Sequence, residues 1–119
     1  MAKFDAKTLS TLRDVREVAI RTGTCRNAAT IWVTVSGDQV FVRSWSGANG
    51  RWYRGLAAGG PATLEFGGRC SPVQAIPASD PDSVARANHE YLKKYRLSSH
   101  AREMVRAEIL STTLRLEPR

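Results

Sequence analysis

The sequence predicts an α+β fold that is mainly β, a small barrel of six antiparallel strands with added helices. Short segments alternate between apolar and polar residues, which is the periodicity of half-buried strands. Two-residue glycine turns separate some of these segments at the spacing of β-hairpins. An apolar stripe at helical spacing follows in the C-terminal half. Short hairpins in this number favour a small barrel, and the length of 119 residues fits one domain, residues 1–119.

The N-terminal half predicts one helix followed by three strands. A short helix from Asp5 to Arg13 would turn Phe4, Leu9 and Leu12 toward the core. Residues 17–22, 30–35 and 39–44 alternate as strands do, and residues 23–29 form a polar loop between the first two. The turn between the second and third strands falls at Gly37 and the following aspartate, because glycine takes the positive φ that such turns need.

The second half predicts a short helix, a hairpin, two longer helices and a final strand. Residues 51–58 fit about two helical turns, with Asn49 as the N-cap. Residues 62–66 and 69–75 pair around Gly67 and Gly68. Asp80 and Pro81 begin a helix, since a cap followed by proline is typical of helix starts. Another helix opens at Ser98 or Ser99, and residues 112–116 form the last strand. The apolar stripe of the first of these helices is Val84, Ala87, Tyr91, Leu92 and Tyr95.

Composition points to a globular protein with an anionic partner. The hydrophobic fraction is 42%, and no apolar run approaches the roughly 20 residues that a membrane span needs. We therefore expect a cytoplasmic protein without a membrane partner. The net charge is +7, yet the basic residues are scattered and most are arginines. Arginine suits bidentate recognition of phosphate or carboxylate, so a small anionic cofactor is compatible with this charge.

The sequence offers no metal site and no recognisable catalytic residue. Cys25 and Cys70 lack metal-type spacing, and we expect both to be reduced thiols. His89 and His100 are the only histidines, and neither has an evident acid–base partner.

The segment SWSGANGRWYRG, residues 44–55, carries the chemistry. Glycines allow a ligand to approach the backbone closely, and guanidinium groups of Arg43 and Arg51 could clamp a phosphate. Trp45 or Trp52 could cover a flat ring, although Trp52 and Tyr53 could equally pack into the core. Arg21 and Thr22, at the end of the first strand, would lie across from this segment. The predicted cofactor-binding residues are Arg21, Thr22, Arg43, Ser44, Arg51 and Trp52.

A longer run of the chain, residues 21–76, resembles the FMN-binding split-barrel superfamily. That superfamily includes the pyridoxamine-phosphate oxidases and the deazaflavin-dependent nitroreductases. The likeness covers nearly the whole chain and is closest to a small bacterial family of unknown function. The matching features are Thr22-Gly23, the hairpin at Gly37, Arg43-Ser44, the Gly-x-x-Gly loop at residues 47–50, Trp52-Tyr53 with Leu56, LEFGGR, the VQAIP strand and the LRLEP ending.

The resemblance implies a six-stranded split β-barrel that forms a homodimer and binds a flavin in a groove between subunits. It places Arg43, Ser44 and Arg51 at the phosphate, and Arg21 and Thr22 near the ring or the ribityl chain. Deazaflavin-binding relatives carry a basic Gly-Arg-Lys-Ser-Gly type of loop where this chain reads TGTCRNAAT, in which only Arg26 offers comparable charge. FMN or a related flavin is therefore the leading cofactor, and deazaflavin is the alternative.

Three functions remain open at this point. The first is a flavin-binding protein with oxidoreductase activity on an unknown substrate, in which the cofactor carries the hydride. The second is an interaction or regulatory module that keeps the fold without a cofactor. The third is a small barrel that binds single-stranded nucleic acid through basic and aromatic side chains, which we rank last.

Overall fold

The computed structural model describes residues 3–22 and 25–119 of the chain. Within them, three helices, α1 to α3, and seven strands, β1 to β7, are joined by 3-10 segments at Gly47–Asn49, Ala101–Val105 and Ala107–Thr112. In chain order the elements are α1 (Ala6–Asp14), β1 (Val18–Thr22), β2 (Cys25–Ile31), β3 (Thr34–Ser36), β4 (Gln39–Val42), α2 (Arg51–Arg54), β5 (Gly60–Phe66), β6 (Arg69–Pro77), α3 (Pro81–Lys94) and β7 (Leu114–Pro118).

The strands form one curled, antiparallel half-barrel sheet in the order β2-β1-β5-β6-β7-β4-β3. The described residues thus contain seven strands where the sequence predicted six. The additional strand is β2, because most of the segment predicted as a polar loop pairs with β1, for example Ala29 with Ile20. β2 is an edge strand of this sheet, and edge strands carry polar residues more readily than central ones. The predicted strand at residues 30–35 is correspondingly divided between β2 and β3.

Both predicted hairpins are confirmed. β3 pairs with β4 across a turn in which Gly37 has a φ of 62°, and β5 pairs with β6 across Gly67 and Gly68. β7 closes the sheet between β6 and β4, with Leu116 opposite Ala75 and Val40. The final strand therefore joins the two hairpin systems into one sheet.

Apolar side chains form two core clusters, one on each face of β4. Val40 and Val42 belong to the cluster enclosed by the sheet and α1, whereas Phe41 belongs to a second cluster formed with α3 and the 3-10 segments. Because side chains alternate along a strand, Arg43 continues on the face of Phe41, toward α3. The Arg43 side chain therefore lies among residues of α3 and of the following 3-10 segment, outside the enclosed cluster.

The observed helices agree with the predicted helices except in three places. α1 and α3 begin where predicted, with Asp5 and Asp80 each accepting a backbone N–H as N-cap. The predicted helix at residues 51–58 is only four residues long and is capped by Gly50 instead of Asn49. The predicted helix after Ser98 is two 3-10 segments, and Leu92 of the apolar stripe is 43% exposed. No helix in the described part of the chain is long and apolar enough to cross a membrane.

Candidate functional site

A cavity of about 630 Å³ lies beside the segment that the sequence marked as functional. We call it the tryptophan cavity, because three tryptophans contribute to its wall. Its size lies within the range of small-molecule sites, which is roughly 300–1,000 Å³. It is lined by Arg16, Glu17, Ala29, Thr30, Ile31, Trp32, Arg43, Trp45, Ser46, Gly50, Trp52, His100 and Met104.

The tryptophans differ in exposure. Trp52 is 8% exposed and packs with the enclosed core cluster, where its ring meets Tyr53 edge to face. Trp32 stacks on Tyr95 with ring centroids 3.9 Å apart, which fixes its plane. Trp45 is 55% exposed, and the guanidinium of Arg106 lies over its ring and donates to its carbonyl oxygen. Two tryptophans are therefore held by packing, and the third stands at the rim, accessible to a ligand.

Arg43 contributes to the wall, but its side chain is 1% exposed and bonded throughout by protein acceptors. Nε donates to the Thr113 hydroxyl at 2.8 Å and Nη2 to the Val84 carbonyl at 3.0 Å. Nη1 donates to Asn88 Oδ1 at 2.6 Å and to the Met104 carbonyl at 2.8 Å. Burial lowers the pKa of the guanidinium, although arginine keeps its charge in proteins. Only the second Nη2 hydrogen lacks such an acceptor within the described residues.

Ser44 is also enclosed by protein. It is 1% exposed, its backbone N–H donates to the Thr112 hydroxyl at 3.1 Å, and its Oγ has no hydrogen-bond partner within residues 3–22 and 25–119. A Cβ added at Gly50 would lie 2.2 Å from that Oγ. The glycine therefore permits the close approach of the loop to the end of β4, which is a packing role rather than a ligand contact.

The other predicted site residues lie away from the cavity lining. Arg51 is exposed at the start of α2, so Arg43 and Arg51 occupy different environments. Arg21 pairs with Glu65 of the neighbouring strand, Nε to Oε2 at 2.9 Å, and Thr22 is buried within the sheet. Of the six predicted residues, Arg43 and Trp52 line the tryptophan cavity. Residues 23 and 24 of the predicted Thr-Gly loop, and the side chains of Cys25 and Arg26, lie outside what the structure describes.

Several residues of this region were not predicted from the sequence. Arg16 and Trp32 line the cavity, and Asn88 and Thr113 bond Arg43. Two patterns in the sequence indicate such positions. Asn88 follows Val84 by four positions, which places both residues on one face of the predicted helix. Trp32 lies on the opposite face of its predicted strand from Ile31 and Val33. Polar groups on buried faces need partners, so Asn88 implied a buried hydrogen bond.

Residues 7–116 match the model of a family described as an uncharacterized protein conserved in bacteria, DUF2255. The chain belongs to the DUF2255 family. This agrees with the resemblance to a small bacterial family of unknown function noted from the sequence. No curated protein matches this DUF2255 member.

Among solved structures, this DUF2255 protein is similar to a conserved hypothetical protein, Rv2991, from Mycobacterium tuberculosis. The match has a TM-score of 0.63 at 11% sequence identity and covers 95% of this chain and 78% of that chain. At this identity the likeness concerns the fold alone.

Proposed function

We propose that this protein is a split-barrel protein that binds a flavin-type cofactor, FMN first and deazaflavin as the alternative, in the tryptophan cavity. In this proposal it forms a homodimer and acts as an oxidoreductase on an unknown substrate. The observation that carries the proposal is the presence of three tryptophans and basic side chains around one cavity of about 630 Å³.

The aromatic walls fit the ring system of a flavin. Aromatic side chains stack on flat rings, and each such contact with a base contributes roughly 1–3 kcal/mol in nucleic-acid complexes. Trp45 is 55% exposed, so stacking uses the ring face opposite the Arg106 guanidinium, whereas Trp32 and Trp52 are fixed by packing. In this arrangement Trp45 covers the flavin ring, and Trp32 and Trp52 form the fixed part of the cavity wall.

The phosphate group requires a different residue from the one that the sequence predicted. Arg43 directs four hydrogen bonds to protein acceptors, so it has little left to offer a phosphate. Arg16 is exposed and lines the same cavity, and Ser46 adds a hydroxyl. We therefore assign the phosphate contact to Arg16 and Ser46, because arginine binds phosphate with charge-assisted hydrogen bonds.

A bound flavin supplies hydride transfer, and the chain supplies binding, orientation and electrostatics. Arg43 contributes through its fixed positive charge, which lies in the cavity wall in a poorly solvated position. Trp52 and Met104 contribute buried apolar side chains to the cavity wall.

Titration of the protein with FMN, followed by tryptophan fluorescence, tests the proposal. We expect saturable quenching, weakened roughly tenfold by Trp45→Ala and by Arg16→Gln. Arg54→Gln is the matched control, because Arg54 is exposed on α2 and lies outside the cavity lining. Absence of saturable quenching by FMN and by a deazaflavin, or full affinity in Trp45→Ala, would contradict the proposal.

The bonding of Arg43 favours one alternative, an interaction module without a cofactor. A guanidinium bonded to four protein acceptors stabilises the fold and needs no ligand. Native mass spectrometry separates the two functions, since it reports the number of subunits and any retained cofactor together. A cofactor-free assembly that also fails to bind FMN would favour the interaction module.

A further inference from the structure

A second depression, of about 800 Å³, lies where the last turn of α1 meets the end of α3. We call it the lysine groove, after Lys94 in its wall. Its size lies within the range of small-molecule sites, which is roughly 300–1,000 Å³. The groove therefore has room for a compact ligand.

Lys94 is held in a fixed position as an ammonium group. Its Nζ donates to the carbonyl oxygen of Leu12 at 2.8 Å and to that of Val33 at 2.7 Å, and the centre of the Tyr95 ring is 5.3 Å away. Carbonyl oxygens and the face of an aromatic ring both favour a positive charge. An ammonium has three N–H donors, and the third has no acceptor within residues 3–22 and 25–119. One donor is therefore left for a ligand in the groove.

The charged side chains around the groove favour an anion. They are the cations Arg13, Arg16, Lys93, Lys94 and Arg96 and the carboxylates Asp14 and Glu90. None of the seven forms an ion pair with another described residue. Like charges in one depression repel each other, and an anion between them would relieve this repulsion. The cations of the groove thus lack a counter-ion from the protein.

The size of the positive excess indicates which anion fits. α1 and α3 both end at the groove, and a helix C-terminus carries about −0.5 of an elementary charge. After the two carboxylates and the two helix ends are subtracted, an excess of roughly two positive charges remains. A phosphate monoester, with a charge of about −1.5 to −2 near pH 7, matches this excess better than a singly charged carboxylate or phosphodiester.

We propose that the lysine groove binds a small phosphate monoester. The third N–H of Lys94 donates to a phosphate oxygen, and Arg16 and Arg96, which are both exposed, donate from their guanidinium groups. Arg13 contributes mainly charge, because its Nη2 already donates to the Gly37 carbonyl at 2.5 Å. The phosphate would also replace part of the solvation that burial removes from the Lys94 ammonium.

This site is separate from the proposed flavin site. The two depressions share Arg16 in their walls, but Lys94 and Arg96 line only the lysine groove, and Trp45 lines only the tryptophan cavity. Substitutions at these three residues therefore distinguish the two sites, and Arg16 is kept in every test of the groove. Failure of FMN binding would leave this proposal unaffected, and the reverse is also true.

Titration with methyl phosphate at pH 7.5 and constant ionic strength, followed by the backbone amide NMR shifts of residues 93–98, tests the proposal. We expect saturable shifts, with binding roughly tenfold tighter than that of dimethyl phosphate, a diester with a single charge. Equal affinities for the monoester and the diester, or shifts that do not saturate, would overturn the proposal. They would indicate a diffuse attraction for anions, of the kind that a nucleic-acid backbone also meets.

Charge-matched variants locate the binding. Arg96→Gln should weaken methyl phosphate binding roughly threefold, and Lys94→Met roughly tenfold. Arg54→Gln removes the same charge from an exposed position outside both linings, and it should change the affinity by less than about twofold because salt screens distant charges. Equal weakening in Arg96→Gln and Arg54→Gln, with the fold verified by circular dichroism, would contradict the proposal.

A crossed comparison separates the groove from the flavin site. Trp45→Ala should leave methyl phosphate binding unchanged, and Arg96→Gln should leave the quenching by FMN unchanged, because each residue lines one depression only. Loss of methyl phosphate binding in Trp45→Ala would place the phosphate in the tryptophan cavity and would overturn the assignment to the lysine groove.

Discussion

Arg43 donates a hydrogen bond of 2.6 Å from Nη1 to Oδ1 of Asn88, which ties the end of β4 to the middle of α3. The same guanidinium reaches Thr113, next to the start of β7, and a carbonyl of the first 3-10 segment after α3. All four acceptors are neutral, and the ring of Tyr91 lies 5.3 Å from the guanidinium carbon. Arg43 thus joins the sheet to its outer helical layer.

Arg43→Lys should destabilise the protein by about 3 kcal/mol. A lysine cannot reach four acceptors spread across a guanidinium, and each lost bond to a charged donor costs roughly 1.5–3 kcal/mol before relaxation. Urea unfolding measures the change. Arg51→Lys is the control, with an expected change within about 0.5 kcal/mol, because Arg51 is exposed. Equal stabilities of the two variants would contradict the structural role of Arg43.

The strand face on which Arg43 lies was predictable from the sequence, but its hydrogen-bond partners were not. Alternation along QVFVR places Phe41 and Arg43 on one face of the strand and Val40 and Val42 on the other. The alternation does not reveal that both faces are covered, because α3 is far away in the chain. A strand-end arginine was therefore interpreted as a ligand contact, although Asn88 and Thr113 supply its partners.

Gly50→Ala should destabilise the protein by about 1–2 kcal/mol, and Ser44→Ala should restore most of the loss. The added Cβ would lie 2.2 Å from Ser44 Oγ, which is too close, so the serine must rotate or the loop must shift. Removing the hydroxyl clears the space, and that oxygen has no partner to lose in the described part of the chain. A double-mutant cycle in urea measures the coupling. Strictly additive effects would refute the steric explanation.

Tyr95→Phe should cost about 2 kcal/mol. The single O–H of Tyr95 donates to the carbonyl of Arg16, 2.8 Å away, or to that of Val33, 3.0 Å away, and the phenol oxygen accepts the Val33 N–H at 3.1 Å. Its removal leaves buried polar groups unpaired. Tyr53→Phe is the matched control and should cost less than about 1 kcal/mol, because the Tyr53 hydroxyl makes only a 3.4 Å bond to the Ser111 carbonyl. Thermal unfolding compares the two, and a larger loss in Tyr53→Phe would reverse this ranking.

The strands also differ in whether the local sequence alone is enough to predict them. The β5–β6 hairpin was predictable because its turn glycines and its alternation are local. β2 was not, since a polar segment becomes a strand here through pairing with β1 rather than through its own propensity. The C-terminal 3-10 segments were likewise mistaken for one α-helix, because apolar spacing alone does not separate the two helix types.

The stability of the wild-type protein should rise between about pH 8 and 9.5 relative to that of Lys94→Met. Burial lowers the pKa of Lys94 in the folded state to about 8, whereas the unfolded value is near the ordinary 10.5. In this window the unfolded chain binds more protons than the folded one, so the free energy of unfolding increases with pH. The gain should be roughly 1–2 kcal/mol, after allowance for solvent screening of a half-buried group.

Urea unfolding of both proteins at several pH values measures this difference, which cancels the titration of all other groups. The measurements stop at pH 9.5 because burial raises the pKa of Tyr95 to about 12, which lowers the stability of both proteins as their unfolded chains begin to ionise above pH 10. Lys94→Arg should also show no rise, since arginine keeps its proton throughout. A difference that stays flat, or that falls as the pH increases, would mean that Lys94 keeps an ordinary proton affinity in the folded protein.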